Sequence, residues 1–504
     1  MKEKLARGVM WLSGAKIVVN LLGLVSTLVL ARLLTPEDFG LVAIATTLIT
    51  MLASMTEMSL SSALVHHEHP TDEHFNSAWT MNLLRALLLA ALLAGAAPWL
   101  AVVYKDPRLT PVLLLLALSV FIGGLNNPKQ VVLTRRLEFW QEFAVLVSQK
   151  MAGLIVGVGM ALIFRSYWAL VAGTLATQVA GLIVSYCVVP FRPRPTLSRV
   201  RELWSFSAWV TLSYILNTLN WKLDHFMIGT FIGPKALGTY TVGDNLAAMA
   251  TRETIGPLEA TLFPGLRQVT GDPERLRRAY TRAQGLITMI ALPVGFSVGA
   301  LAEPLVLLVL GPQWTGATLV VQFLACIFAI QTVNTAAHPL SMALGKTRLM
   351  FQRDMLGFAI RVPLILGGMW LGGVAGIVHA RVISGTLAVL INAEVVRRLI
   401  QLPIRRQLLN SWRSVVSVAV MWLCLRGAQQ EWPVAGPVLQ RIAMLAVLVL
   451  FGLCIYMAVH ALLWRVSGRP PGAEQDFKEL AGKAAGKVSR KLLRRDVLPD
   501  QPAA

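Results

Sequence analysis

Fourteen apolar stretches, most of them close to the length of a bilayer-spanning helix, leave this chain few ways to fold. They run over about 10–32, 39–60, 79–103, 109–127, 143–164, 167–189, 205–230, 236–258, 283–305, 315–338, 354–372, 374–397, 412–428 and 437–464. A helix needs about 20 predominantly apolar residues to cross the hydrocarbon core of a bilayer. Ala86 to Tyr104 and Ile442 to Trp464 contain no Lys, Arg, Asp or Glu at all. The eighth stretch is the most polar, with Asp244, Arg252 and Glu253. Short breaks rich in turn residues separate the stretches, such as Thr35-Pro36-Glu37-Asp38 and Gly233-Pro234-Lys235. Barrel strands are excluded, because they are about 10 residues long and alternate in polarity. The expected fold is an all-α polytopic membrane protein with about 14 transmembrane helices. Composition agrees: 14% of residues are charged, against about 25% in a soluble domain.

The net charge of +20, from 46 Lys+Arg and 26 Asp+Glu, would suggest nucleic acid in a soluble chain. Its distribution points elsewhere. With the N-terminus inside, 32 basic residues fall on the cytoplasmic side, 7 on the opposite side and 7 within spans. Lys and Arg concentrate in cytoplasmic loops of membrane proteins, so both termini are expected in the cytoplasm and no nucleic-acid partner is expected. The first apolar run is too long for a signal-peptide core and reads as a retained span. Cys187, Cys326, Cys424 and Cys454 form no CxxC pair and read as packing residues. His66, His67, His69 and His74 share one loop; nothing there fixes a ligand geometry, so no metal site is expected.

Two stretches match at an offset of 198 residues: Trp11, Ser13, Pro36 and Gly40 with Trp209, Thr211, Pro234 and Gly238. A second match, at an offset of 211, pairs Asn127-Pro128 with His338-Pro339. Spans 1–6 and 7–12 therefore read as two copies of one six-helix unit. An even number of spans per copy gives both the same orientation, the parallel-repeat plan of some transporters. The expected divisions are an N-terminal bundle over 1–200, a C-terminal bundle over 201–405, two additional helices over 406–465 and a basic tail over 466–504. In the tail, Phe477, Leu480, Ala484, Val488 and Leu492 recur at helical spacing among basic residues, which suits an amphipathic helix on an anionic leaflet.

A charge at bilayer depth costs about 2.5–3.5 kcal/mol on the insertion scale, so such residues usually face a cavity or a partner. Ser213, Asn217, Asn220 and Asp224 fall on one stripe of span 7, flanked by Lys222 and His225. Ser13, Lys16 and Asn20 form the corresponding stripe of span 1. A central aqueous cleft needs such stripes, although hydrogen bonding between helices is the alternative. Arg85, Lys150, Arg252 and Arg361 lie near the cytoplasmic boundary and Arg381 in the outer part of span 12. Snorkelling explains any one of the boundary cations; together they would line a cleft for phosphate or diphosphate groups. The candidate substrate-binding residues are thus Lys16, Asn20, Arg85, Lys150, Asn217, Asn220, Lys222, Asp224, Arg252, Arg361 and Arg381. Glu57, Asp224 and Glu253 are the candidates for H+ or Na+ coupling. No GxxxxGK[ST] loop, Asp-x-Asp pair or recognisable triad occurs, so neither an enzyme nor a cofactor is expected.

The motifs resemble a known family. Gly8-x-x-Trp11 followed by Leu33-Leu34-Thr35-Pro36-Glu37-Asp38-Phe39-Gly40 resembles the first hairpin of Wzx-type polysaccharide flippases. So do Tyr104-Lys105-Asp106-Pro107, Leu133-Thr134-Arg135-Arg136-Leu137-Glu138-Phe139, Asn220-x-x-x-Asp224, Leu237-Gly238-x-Tyr240 and Leu262-Phe263-Pro264-Gly265-Leu266. The resemblance covers about residues 5–400 and implies the multidrug/oligosaccharidyl-lipid/polysaccharide exporter fold. It also implies an undecaprenyl-diphosphate-linked oligosaccharide as substrate, moved across the bacterial inner membrane by alternating access between two bundles. Implied partners are that lipid-linked oligosaccharide, membrane lipids and a polysaccharide polymerase or export machinery. A cation-coupled multidrug antiporter of the same fold is the alternative. A membrane glycan polymerase or ligase is a further one, weakened because the longest outer loop, about 426–441, is small.

Overall fold

Local capping signals start the helices where the sequence breaks fall. Thr35 caps α2 (Pro36–Met55): its Oγ1 accepts from the Asp38 amide at 3.3 Å, and the Asp38 carboxylate accepts from the Thr35 amide at 3.0 Å. Pro36 occupies the first turn, where no amide is needed. In the computed structural model, residues 2–475 are described apart from 57–59, 61–63, 65–69, 137–138, 201, 203–207, 433, 435, 470–471 and 473. The side chains of 2–13, 15–17, 134–136, 139, 208–211, 213, 257, 260 and 347 also lie outside the description.

The described residues are helical between short connections, with no strand among them. The elements are α1 Lys2–Leu33, α2, α3 Asp72–Val103, α4 Leu109–Gly124, α5 Val131–Arg136, α6 Phe139–Phe164, α7 Trp168–Val188, α8 Ala208–Met227, α9 Pro234–Arg267, α10 Pro273–Ala300, α11 Ala302–Val309, α12 Ala317–Gln331, α13 Ala337–Ala343, α14 Thr347–Ile400, α15 Ile404–Asn410, α16 Trp412–Glu431 and α17 Val438–Val466. Among the described residues, eight helices are long and apolar enough to cross a membrane, or nine if α15 and α16 form one bent span. Helix occupies most of each of the fourteen apolar stretches.

Residues 347–400 are one uninterrupted stretch of helix by hydrogen bonding but two arms in space. Gly372 and Gly373 leave helical geometry, and Gly373 takes φ +55°, which a side chain would resist. A Cβ on Gly368 would collide with the Gly376 carbonyl, and one on Gly376 with the Gly368 carbonyl. Residues eight apart touch in this way only if the chain reverses, so α14 is a tight helical hairpin. Its apex lies where the sequence separates the eleventh and twelfth apolar stretches.

The chain packs into two units. Unit 1 comprises residues 1–253, 301–325 and 347–385; unit 2 comprises 254–300, 326–346 and 386–504. These divisions by packing do not coincide with the sequence divisions at 200 and 405. In unit 1, Leu30, Leu34, Ala161 and Ala169 form one buried cluster, and Leu60, Leu64, Phe75, Ala78 and Met81 another. The two Pro-x-x-x-Gly segments meet reciprocally there. A Cβ on Gly40 would strike the Pro234 carbonyl, and one on Gly238 would strike the Pro36 carbonyl. Hydrogen bonds close the same region: Trp314 Nε1 and Gln313 Nε2 each donate to the Ala31 carbonyl at 2.8 Å. Arg32 donates in turn to the carbonyls of Leu308 and Val309. Unit 2 is built around Leu262, Leu276, Tyr280, Ile287, Leu340 and Val396. Within it, Asn334 Oδ1 accepts from Tyr280 at 3.2 Å and from Gln284 at 3.0 Å.

The segment after α7 is strapped to α3 in unit 1. The amides of Arg194, Thr196 and Arg199 donate to Asn76 Oδ1, Thr80 Oγ1 and Ser77 Oγ at 3.0, 3.0 and 3.2 Å. Arg199 also pairs with Glu73 and Glu202. The Thr71 amide donates to His74 Nδ1, so Nε2 carries the proton and donates to Glu202 at 2.9 Å. Arg199, then His74, hold the Glu202 carboxyl below the usual glutamate range.

Candidate functional site

Asp224 is the most deeply buried charge in unit 1, with no exposed surface. It stands near the end of α8, just before a π turn over Ile228–Ile232. Such turns often mark functional positions in helices. An isolated carboxylate at that depth would be untenable, so its surroundings must supply partners. The α14 hairpin supplies two. Arg361, on the first arm, donates from Nη2 to both Asp224 oxygens at 2.8 and 2.9 Å. Arg381, on the second arm, donates from Nη1 to Asp224 Oδ2. Both arginines are buried, at 9 and 4% exposure. They lie 5.9 and 5.6 Å from the Trp221 ring centre, within cation–π distance.

α9 completes the network. Tyr240 donates its hydroxyl proton to Asp224 Oδ2 at 2.8 Å and accepts from Arg381 at 3.1 Å. Asp244 lies 3.5 Å from Arg381 and 4.0 Å from His225 Nε2, while the His225 ring meets Tyr240 edge-on. Two carboxylates and two guanidiniums thus compensate each other over α8, α9 and both arms of α14. Compensation leaves some hydrogen-bonding capacity unused: Arg361 Nε, Asn220 Oδ1, His225 Nδ1 and Thr241 Oγ1 are buried with no hydrogen-bond partner among the described residues.

A second polar cluster in unit 1 is arranged differently. A cavity of about 470 Å³ lies among α1, α6, α7 and α9, a volume typical of a small-molecule site. Glycines keep one wall thin: a Cβ on Gly173 would stand 3.0 Å from the Gly153 carbonyl. Apolar residues such as Leu154, Leu170, Leu246 and Met249 alternate around it with Asn20, Lys150, Thr174, Asn245, Arg252 and Glu253. Asn20 donates through Nδ2 to the Glu253 carboxylate, joining α1 to α9. Lys150 and Arg252 line the cavity, are exposed, and have no hydrogen bond or ion pair among the described residues. These two cations are available to a ligand; Arg361 and Arg381 are committed to Asp224.

The remaining candidates are dispersed. Lys222 is half-buried within electrostatic reach of Asp244, Arg252 and Asp224. Asn217 is exposed on α8. Arg85 donates to Thr56 Oγ1 at 3.0 Å and to the Ala53 carbonyl at 2.8 Å, closing the C-terminal end of α2. The side chains of Lys16 and Ser213 lie outside the described residues, as do Glu57, His66, His67, His69 and the tail beyond 475. Sequence reasoning singled out Asp224, Arg361 and Arg381 separately without pairing them. It missed Trp221 and Tyr240 as members of the network. Tyr240 lies sixteen residues from Asp224 across the Gly233-Pro234 break, a separation that no single-helix periodicity can reveal.

Comparison with known proteins places the chain. The polysaccharide biosynthesis protein family matches residues 29–319. The succinoglycan biosynthesis transport protein ExoT of Rhizobium meliloti (strain 1021) is 27% identical over 473 residues, which cover 92% of this chain and 95% of ExoT. The lipopolysaccharide biosynthesis protein WzxC of Escherichia coli (strain K12) is 21% identical over 389 residues, covering 75% of this chain and 77% of WzxC. Among solved structures, the lipid II flippase MurJ in an inward closed conformation matches with a TM-score of 0.71 at 14% identity, covering 91% of this chain and 99% of MurJ. An inward-facing MATE family multidrug resistance transporter of the MOP superfamily matches with a TM-score of 0.61 at 15% identity, covering 76% of this chain and 94% of its own. At these identities the structural likeness speaks for the fold alone. The family match spans more than half of the chain, and its relatives carry the names that the Wzx-type motifs lead one to expect. The chain belongs to the polysaccharide biosynthesis protein family, within the superfamily that includes the Wzx-type polysaccharide flippases.

Proposed function

We propose that the chain is a flippase for an undecaprenyl-diphosphate-linked oligosaccharide, such as a lipopolysaccharide or exopolysaccharide repeat unit. It would move this substrate from the cytoplasmic to the periplasmic leaflet of a bacterial inner membrane by alternating access. The observation that carries the reading is the cavity with Lys150 and Arg252 on its wall. A diphosphate is best held by cations that no protein carboxylate already neutralises. Asn20, Thr174 and Asn245 add hydrogen-bonding groups for sugar hydroxyls, and the apolar wall suits a prenyl chain. The family membership and the names of ExoT and WzxC support the same direction.

The finer features belong to the same proposal. Fourteen spans, both termini in the cytoplasm and two six-helix repeats over 1–200 and 201–405 would give the halves a common orientation. The reciprocal contact of Gly40 and Gly238 supports the repeat, because equivalent residues of two copies meet about an approximate two-fold axis. Of the coupling candidates, Glu253 is proposed as the group that senses H+ or Na+, because Asp224 is committed to Arg361, Arg381 and Tyr240; a polysaccharide polymerase or export machinery is proposed as the protein partner.

Transport by the purified protein tests the reading. Reconstituted into vesicles with the matching lipid-linked oligosaccharide, the chain is expected to expose that glycan to an external enzyme faster than protein-free vesicles do. No transfer beyond the protein-free rate overturns the proposal. Build-up of a drug gradient against a proton or sodium gradient would replace it with the antiporter of the same fold. Lys16→Ala is expected to lower transport while membrane insertion stays intact; unchanged transport would remove Lys16 from the site.

A further inference from the structure

The connection between α14 and α16, in unit 2, is built unlike an ordinary loop. It contains α15, seven residues long, which meets α16 at 46°. Side chains fix it from below. Gln407 is fully buried and donates to the carbonyls of Ala393 and Leu402, both at 2.9 Å. Asn410 donates to the Thr281 carbonyl at 2.9 Å. Gln401 closes the preceding helix in the left-handed region at φ +54°, and Arg277 donates to the Ile400 carbonyl at 2.6 Å. The helix therefore cannot roll, and its outer face is set by the fold.

That outer face mixes two chemistries. Leu408, Leu409 and Trp412 are 41, 50 and 40% exposed. Arg405 and Arg406 are exposed as well and have no hydrogen bond or ion pair among the described residues. At 100° per residue, Leu408 lies toward one edge of α15 and Arg406 toward the other, with Arg405 and Leu409 between them; Trp412 follows across the bend, as the first residue of α16. A face with an apolar edge and a basic edge suits the boundary between acyl chains and headgroups. The helices on either side are apolar spans or parts of one, which holds α15 at that boundary. In the orientation proposed above, this connection faces the cytoplasmic leaflet, where anionic lipids attract basic segments.

We propose that α15 and Trp412 form a binding site for an anionic phospholipid of the cytoplasmic leaflet. The Arg405 and Arg406 guanidiniums would take the phosphate, and Leu408, Leu409 and Trp412 would lie against the acyl chains. The site is independent of the cavity and of the transported substrate.

The test uses the full chain in detergent and native mass spectrometry with added phosphatidylglycerol or phosphatidylcholine. The wild-type protein is expected to retain phosphatidylglycerol in preference to phosphatidylcholine, and inorganic phosphate is not expected to displace it. Arg405→Gln with Arg406→Gln should weaken phosphatidylglycerol retention about thirtyfold, at the usual contribution of a surface basic residue. Arg405→Lys with Arg406→Lys should restore the preference, which separates lost charge from a misfolded variant. Equal retention of both lipids by the wild type, or unchanged phosphatidylglycerol retention by the Gln variant, overturns the proposal. Displacement by inorganic phosphate would also overturn it, reassigning the site to a free anion.

Discussion

The Asp224 network and the α1–α6–α7–α9 cavity draw on the same residue types and put them to opposite uses. Around Asp224, two guanidiniums, a phenol and a second carboxylate share one another's charge, and no side chain among them is more than 15% exposed. Around the cavity, Lys150 and Arg252 face open space without a counter-ion among the described residues, and Glu253 is held by Asn20. α9 contributes to both: Tyr240 and Asp244 to the first, Arg252 and Glu253 to the second. An intramembrane charge in this fold is thus either part of the scaffold or part of a surface for a ligand. The separating criterion is whether the protein itself supplies the opposite charge.

That distinction can be broken most directly at Asp224. Asp224→Ala leaves two buried arginines facing each other, and breaking a buried pair costs about 3–5 kcal/mol. Its thermal unfolding midpoint in detergent should fall strongly, and a midpoint equal to wild type would end the scaffold assignment. Replacing Asp224, Arg361 and Arg381 by Leu or Met, with Asp244→Asn so that no charge of the cluster is left unpaired, should recover much of that loss, because a buried ion cluster is often no better than apolar packing.

The cavity should respond in the reverse sense. Lys150→Ala with Arg252→Ala should reduce transport of the proposed lipid-linked oligosaccharide about a hundredfold, in line with hydrogen bonds to charged groups of about 1.5–3 kcal/mol. Its unfolding midpoint should stay near wild type; a large fall would place these cations in the scaffold as well. Asn20→Ala, which removes one hydrogen bond between α1 and α9, should lower stability by about 1 kcal/mol, measurable in the same melt.

The smallest effect lies outside the spans, at the strap. Glu202 has its carboxyl pKa held down by Arg199 and His74. Its contribution is therefore present above the usual glutamate pKa and lost as pH falls through the lowered value of the folded state. Glu202→Gln near neutral pH should mimic that loss and modestly speed hydrogen exchange at the Arg199 amide. Unchanged exchange would make the strap independent of this pair.

Much of the architecture was legible in the chain because apolar length and turn residues are local signals. The breaks at Thr35-Pro36, Gly233-Pro234 and Gly372-Gly373 mark helix ends in the structure; the Pro-x-x-x-Gly match reads only as a repeat, and that its two segments pack on each other is a finding of the structure. The site was legible only residue by residue. Asp224, Arg361 and Arg381 stood out as charges in apolar runs, but their meeting depends on the reversal at Gly373, which periodicity does not encode. Arg85 carried the same signal and closes a helix end instead. Charge at depth identifies a residue with an electrostatic need and leaves open whether a carbonyl, a carboxylate or a ligand meets it.

The crossing of α2 and α9 at Gly40 and Gly238 has a mechanical consequence. Helices usually mesh through side-chain ridges set into grooves, so turning one against the other means unseating a row of knobs. Here bare backbone rests on bare backbone at the crossing. Such a point works like a bearing: the two rods can change their angle about it without unmeshing anything there. A methyl group added on either side would be grit in that bearing.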